Sequence, residues 1–172
     1  MKNKTLLCII AVLFVSLIFL SYLNQKLVAE KVQSADNPEV LIKFQSNIVG
    51  TISLDTIMTL GEETLQKTLR TSVLSPQDHV YTGVQMKNIL NFLDETMLKE
   101  GSHMIVKAID GYVSAFDIKE VEADKNIYLV YKQDGKPLGT RKEGGNGPLM
   151  IVAANDTFGQ RWCKYVIEVD IE

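Results

Sequence analysis

The residues best able to do chemistry in this chain lie in one basic, glycine-rich stretch, Arg141-Lys142-Glu143-Gly144-Gly145-Asn146-Gly147. Consecutive glycines let backbone amides converge on an anion, and the Arg141 and Lys142 side chains add positive charge. Arginine also forks onto phosphate or carboxylate through two parallel N–H bonds. Arg141, Lys142, Gly144, Gly145 and Asn146 are therefore the leading anion-binding residues. The bland alternative is a hairpin loop with solvated charges, because the glycine spacing is not that of a nucleotide-binding motif. Arg70, His79 and Arg161 are further candidates to line a pocket, each weighed against an ordinary surface or structural role.

Other chemistry has less to work with. The chain holds 2 cysteines and 2 histidines, Cys8, Cys163, His79 and His103, too few and too scattered for a zinc site. Cys163 has no histidine near it in sequence and reads as a small buried hydrophobe. It is the single cysteine of the folded part, so no disulfide forms within that part. Tyr112 and Trp162 read as packing residues, and Glu120, Glu122 and Asp124 as a solvated face. A net charge of −3 offers no basic surplus for nucleic acid. No catalytic residue and no metal ligand are assigned.

These residues must be positioned by strands more than by helices. Val40–Phe44, Met104–Ile109, Ile127–Tyr131 and Leu149–Ala153 read as strands from their β-branched and aromatic content. Ile48–Met58 reads as extended, and Thr68–Leu74 as a further strand. Thr59-x-x-Glu62, Thr82-x-x-Gln85 and Asp117-x-x-Glu120 have the spacing of helix capping boxes. After Thr82, Val84, Ile89, Leu90 and Leu93 fall on one helical stripe. Asp134-Gly135 is a hairpin turn signal. In the last strand Cys163, Tyr165, Ile167, Val169 and Ile171 alternate with Trp162, Lys164, Val166, Glu168 and Asp170, which puts the cysteine on the apolar face. Irregularly interspersed helices favour an α+β fold with a mixed sheet.

At the amino terminus Lys2 and Lys4 precede an apolar run, Leu6 to Leu20, interrupted only by Ser16. The run approaches the roughly 17-residue minimum for a spanning helix. Ser21-Tyr22-Leu23-Asn24 is a poor cleavage site for a signal peptide. The expected organisation is a transmembrane signal anchor over 1–23, a juxtamembrane linker over 24–38 and a folded domain over 39–172. The positive flank places the amino terminus inside and the domain outside the cytoplasm, at the cell membrane.

Four pieces in order carry a family resemblance: Tyr81-Thr82-Gly83-Val84 leading to Ile89-Leu90, Asp110-Gly111-Tyr112, Asp134-Gly135-Lys136-Pro137-Leu138 with Gly147-Pro148-Leu149, and Trp162-Cys163-Lys164-Tyr165-Val166 closing on Ile167-Glu168-Val169. This order resembles the molybdopterin-binding domain of sulfite-oxidase-type oxidoreductases, from about Leu54 to the carboxyl end. The resemblance implies that family's α+β cofactor fold. It also implies that a cysteine thiolate before the Gly-Val segment would ligate molybdenum. Here that segment is Gln66 to Leu74, with Thr71 and Ser72 and no cysteine. Hydroxyls are poor substitutes for a soft thiolate. A molybdopterin is thus possible by resemblance but expected not to be retained. The leading expectation is a membrane-anchored binding or accessory module for a small anion or a membrane-associated protein. The alternatives are a molybdopterin-dependent oxidoreductase or electron-transfer component with atypical ligation, and a purely structural surface domain.

The anchor reading is checked by intact mass and fractionation. The mature protein should keep residues 1–23 and partition with membranes, whereas a mass beginning near Gln25 or Ala35 would remove the anchor.

Overall fold

The computed structural model describes residues 13–20, 38–70 and 75–172. Contacts divide the chain into two units, Met1–Asp36 and Asn37–Glu172. In the first, residues 13–20 form a helix, α1. No helix among the described residues is long and apolar enough to cross a membrane. The rest of the expected anchor and linker lies outside the described residues.

The second unit is α+β and holds two five-stranded sheets. The first sheet has the order β2 (Asn47–Ser53), β1 (Glu39–Phe44), β10 (Val166–Ile171), β5 (His103–Ala108), β6 (Val113–Asp117). Its β1–β10 pair is parallel and the other pairs are antiparallel, so this sheet is mixed as expected. The second is antiparallel. It places β3 (Glu62–Leu69) beside β4 (Gln77–Gln85), then β7 (Ile127–Gln133), which carries β8 (Lys136–Pro137) and β9 (Met150–Ala153). Short helices α2 (Leu54–Met58), α3 (Met86–Leu93), α4 (Thr96–Glu100) and α5 (Ile118–Glu122) fill the connections. One buried cluster takes side chains from both sheets, among them Val40, Ile42, Tyr81, Val84, Val106, Leu129, Ile151 and Val169.

Several expectations hold. The Asp117 carboxylate accepts from the Lys119 amide while Glu120 accepts from the Asp117 amide, closing a capping box on α5. Asp134 and Gly135 both have positive φ, 53° and 76°, as the tight β7–β8 hairpin requires. β9 is buried along its whole length.

Others are corrected. Ile48–Met58 is not one extended run. Ser53 caps a helix there, its hydroxyl accepting from the Thr56 amide at 3.4 Å, and the turn of α2 puts Ile57 in the core. Thr59 does not start a helix but ends α2, with its amide and hydroxyl both donating to the Thr56 carbonyl. Gly61, at φ +96°, then turns the chain into β3. β3 stops at Leu69, and residues 71–74 of the expected Thr68–Leu74 strand lie outside the described residues.

Thr82 and Gln85 make no capping box either. Both belong to β4, which pairs with β3 on one side and β7 on the other, so α3 begins only at Met86. Ladder pairing on two sides satisfies the amides that a local cap would have competed for. Val84 is buried in this strand rather than on the helical stripe, which keeps Ile89 and Leu90 in the core and Leu93 at its margin. The last strand also departs from strict alternation. Tyr165 has φ +57°, and the β10–β5 register shifts between Val166 and Glu168. An extra residue in one strand reverses parity. Val166 turns inward and Ile167 is exposed, while Val169 and Ile171 stay buried.

The tightest approach in the second sheet is at Gly83. A Cβ there would stand 2.3 Å from the Leu129 carbonyl oxygen and 2.6 Å from Val130 Cα. Both obstacles are backbone of the central strand and cannot swing aside. Gly83→Ala should destabilise the domain by about 1–3 kcal/mol or more, measured by urea unfolding. A change within roughly 0.5 kcal/mol, the range of an ordinary surface substitution, would mean that β4 and β7 separate freely.

Candidate functional site

The glycine-rich loop is a closed structure. Arg141–Glu143 form a 3₁₀ turn in which the Glu143 carboxylate accepts from the Thr140 amide at 2.7 Å and the Thr140 hydroxyl at 2.8 Å. The Gly144 amide donates to Arg141 O, Gly145 to Thr140 O, Asn146 to Leu138 O and Gly147 to Gly139 O. These amides point at carbonyls of their own loop, not at a common external point. Gly145 is required by packing, since a Cβ would lie 2.2 Å from Leu138 O. The loop is pinned from β10's side by Tyr165, whose hydroxyl donates to Gly145 O at 2.8 Å. Only the Arg141 and Lys142 side chains remain exposed for an anion.

His79 and Asn146 are joined through one residue. His79 Nδ1 lies 2.7 Å from Asp134 Oδ2 and 3.0 Å from Gln133 Nε2, and Asn146 Nδ2 donates to Gln133 Oε1 at 3.3 Å. The Asp134 carboxyl is held below the usual carboxylate range, first by the Val80 amide and next by His79. Arg70 is apart from this group. It is exposed at the end of β3, with its carbonyl accepting from the Gly159 amide at 3.1 Å.

Arg161 has a structural partnership that sequence reading did not find. Its guanidinium forks onto Glu120 at 2.9 and 2.8 Å and onto Asp156, with Nε donating at 2.9 Å, and it stacks 5.0 Å above the Phe116 ring. Glu120 is therefore not part of a solvated face. It is half-buried and couples the α5 cap to Arg161, while Asp124, exposed, pairs with Lys87. The signal was present in part: the capping-box glutamate of α5 already had a fixed direction.

An open concavity of about 270 Å³ is lined by Asp110, Tyr112, Gln160, Trp162 and Lys164. The β5–β6 turn builds one wall: Gly111 adopts φ +88°, and the Asp110 carboxylate accepts from the Tyr112 amide at 3.1 Å. The Tyr112 hydroxyl donates to Gln160 O, tying that turn to the 159–161 segment. Trp162 is buried, donates from Nε1 to Ala153 O at 3.1 Å, and meets Tyr81 edge to face at 5.6 Å. Tyr112, by contrast, is 43% exposed, more a wall of the concavity than a packing residue. Cys163 lies behind it, fully buried and bridged to Ile151. Burial pushes its thiol up to about 11.

No family model matches the chain, and no curated protein matches it. Among solved structures it is similar to the sulfane dehydrogenase SoxCD from Paracoccus pantotrophus, with a TM-score of 0.62 and 13% identity, over 77% of this chain and 37% of that one. The chain thus spans well under half of that protein's length. At this identity the likeness shows the fold, and it is consistent with the sulfite-oxidase-like α+β architecture.

The described donors do not fit a molybdopterin. Among the described residues no group of three or more His, Cys, Asp or Glu could hold a metal. Cys163 is a buried neutral thiol, and softer metal ligation needs the thiolate. The Arg161 guanidinium is taken by two carboxylates. The buried Ser114 hydroxyl lies beside the Cys163 thiol, and one neutral hydroxyl does not hold a phosphate dianion. Thr71 and Ser72 lie outside the described residues.

Two measurements test this geometry. Arg161 depresses the Glu120 pKa, so the stability from that pair is fully present above the ordinary glutamate value of about 4.3 and is lost as pH falls through the lower folded value. Arg161→Met should therefore flatten the stability profile below about pH 4.3, and an unchanged acid slope would mean that the pair is not maintained in solution. Cys163 should resist alkylation until denaturation, and Cys163→Ser should cost about 1–3 kcal/mol by burying a hydroxyl. Rapid labelling of native protein would contradict the buried thiol.

Proposed function

We propose that the chain is a membrane-tethered, extracytoplasmic binding or accessory module built on a sulfite-oxidase-like fold, and that it does not perform oxidase chemistry. The carrying observation is that Arg161 is committed to Glu120 and Asp156 while Cys163 is sealed as a neutral thiol. The groups that would hold a phosphate or a soft metal are thereby used to build the fold. What remains available to a ligand is charge on the surface, at Arg141 and Lys142, whose side chains project from a loop held rigid by its own hydrogen bonds. Such a pair suits a phosphate or carboxylate group on a small anion or a partner. Its attraction is exposed and therefore salt-sensitive.

The competing reading, an oxidoreductase that keeps a molybdopterin by atypical ligation, draws on the fold shared with a sulfane dehydrogenase. Protein purified from its own host distinguishes the two. We expect no stoichiometric molybdenum and no oxidation of sulfite or sulfoxides, and stoichiometric metal would overturn the proposal. Inorganic phosphate should raise the unfolding midpoint at low salt, and Arg141→Ala with Lys142→Ala should abolish that shift. A shift untouched by the double variant would move the anion site elsewhere.

A further inference from the structure

Two segments far apart in sequence close round the concavity beside Trp162. The β5–β6 turn forms one wall, where the Gly111 amide donates to Ala108 O at 3.1 Å and the Ala108 amide to Tyr112 O at 2.9 Å. Gln160, Trp162 and Lys164 form the other. The Tyr112 hydroxyl donates to Gln160 O, and the Ile109 amide donates to Tyr165 O at 3.0 Å, so the turn is tied to the facing segment at both of its ends. The hollow is thus built into the fold. Its volume of about 270 Å³ falls below the roughly 300–1,000 Å³ of pockets for drug-sized ligands, so a ligand held here is small.

The lining decides the class of ligand. Trp162 has its one polar side-chain atom, Nε1, bonded to Ala153 O, so it offers ring carbon. Tyr112 is well exposed, and its hydroxyl proton is already given to Gln160 O. The Gln160 side chain adds an amide that can both donate and accept. Only two lining residues carry charge, and the charges are opposite: Asp110 and Lys164. Among the described residues neither takes part in an ion pair, with each other or with a third group. Asp110 receives the Tyr112 amide on one oxygen, Oδ1, at 3.1 Å. Arg161, between Gln160 and Trp162 in the chain, does not line the hollow and is bound by Glu120 and Asp156.

Two opposite charges that line one hollow without neutralising each other match a ligand that carries both signs itself. A ligand of one sign is drawn by one of them and repelled by the other. A zwitterion meets each with its complement, carboxylate toward Lys164 and ammonium toward Asp110, through charge-assisted hydrogen bonds. Its apolar part then has the Tyr112 and Trp162 rings to lie against. We propose that this concavity binds a small zwitterion of the amino-acid type. That is a different ligand class from the anion proposed for Arg141 and Lys142, neither of which lines the hollow.

The single tryptophan reports on the site, since Trp162 lines it. The full chain is titrated with leucine, with N-acetyl-leucine, which keeps only the carboxylate, and with leucine amide, which keeps only the ammonium. Binding is read from Trp162 emission and from the shift of the unfolding midpoint. Leucine should bind about two- to fivefold more tightly than either singly charged analogue, the range of one exposed ion pair. Lys164→Gln should remove its advantage over leucine amide, and Asp110→Asn its advantage over N-acetyl-leucine. Both positions are exposed, and asparagine at position 110 still offers an oxygen to the Tyr112 amide. Equal binding of the three compounds, or a leucine advantage that survives both variants, overturns the zwitterion site. Tighter binding of N-acetyl-leucine than of leucine would make the hollow an anion site at Lys164 and overturn it as well. Failure of all three to bind also overturns it, and leaves the phosphate response of Arg141 and Lys142 to be judged by itself.

Discussion

The two sheets are held together by a short crossing between β9 and β10. Ile151 and Cys163 exchange both backbone hydrogen bonds, at 2.8 and 3.2 Å, and the Val166 amide donates to Leu149 O at 3.0 Å. The chain leaves the second sheet still paired to it and enters the first within three residues. Trp162, fixed by Ala153 O and by the edge of Tyr81, fills the space beside this crossing. Such an aromatic pair adds about 0.5–1.5 kcal/mol beyond its area. Tyr165 takes the left-handed conformation there, and the bulge that follows re-aims Val166 into the core. Cys163, at the same bridge, is fully buried.

This crossing also organises the surface around the proposed anion-binding loop. Tyr165 reaches back to clasp the Gly145 carbonyl and forward to accept the Ile109 amide. The glycine-rich loop, the β5–β6 turn and the 159–161 segment converge because one residue with positive φ touches two of them and Tyr112 ties in the third. Arg161 then locks that segment to α5 through Glu120. Charges that could have bound a ligand are spent in making the site end rigid, and what is left exposed is a mixed apolar and charged rim.

A shared fold with part of a much longer dehydrogenase does not by itself carry that protein's chemistry, because activity resides in donor groups and not in strand order. The proposed binding role rests on the cations left exposed at Arg141 and Lys142. Exposed cations with screened, salt-dependent attraction favour surfaces and reversible partners.

The sequence by itself determined what depends on near neighbours along the chain. The Asp117–Glu120 cap, the Asp134–Gly135 hairpin and the apolar run of β9 all follow from contacts within a few residues. Its α+β character was legible for the same reason. Where local signals were ambiguous, distant partners decided. The Thr82-x-x-Gln85 spacing lost to ladder pairing with β3 and β7, and Ile48–Met58 split where α2 turns Ile57 into the core. The loop at Arg141–Gly147 was visible as glycine-rich, but whether its amides faced an anion or their own carbonyls depended on Tyr165, Leu138 and Gly139. Glu120 could not be read as a partner of Arg161, since only the packed α5 brings a residue 41 positions away within hydrogen-bond reach. Hydrogen bonds and bulges that reverse the face of a side chain are set by the neighbour across the sheet, which alternation in one strand does not encode.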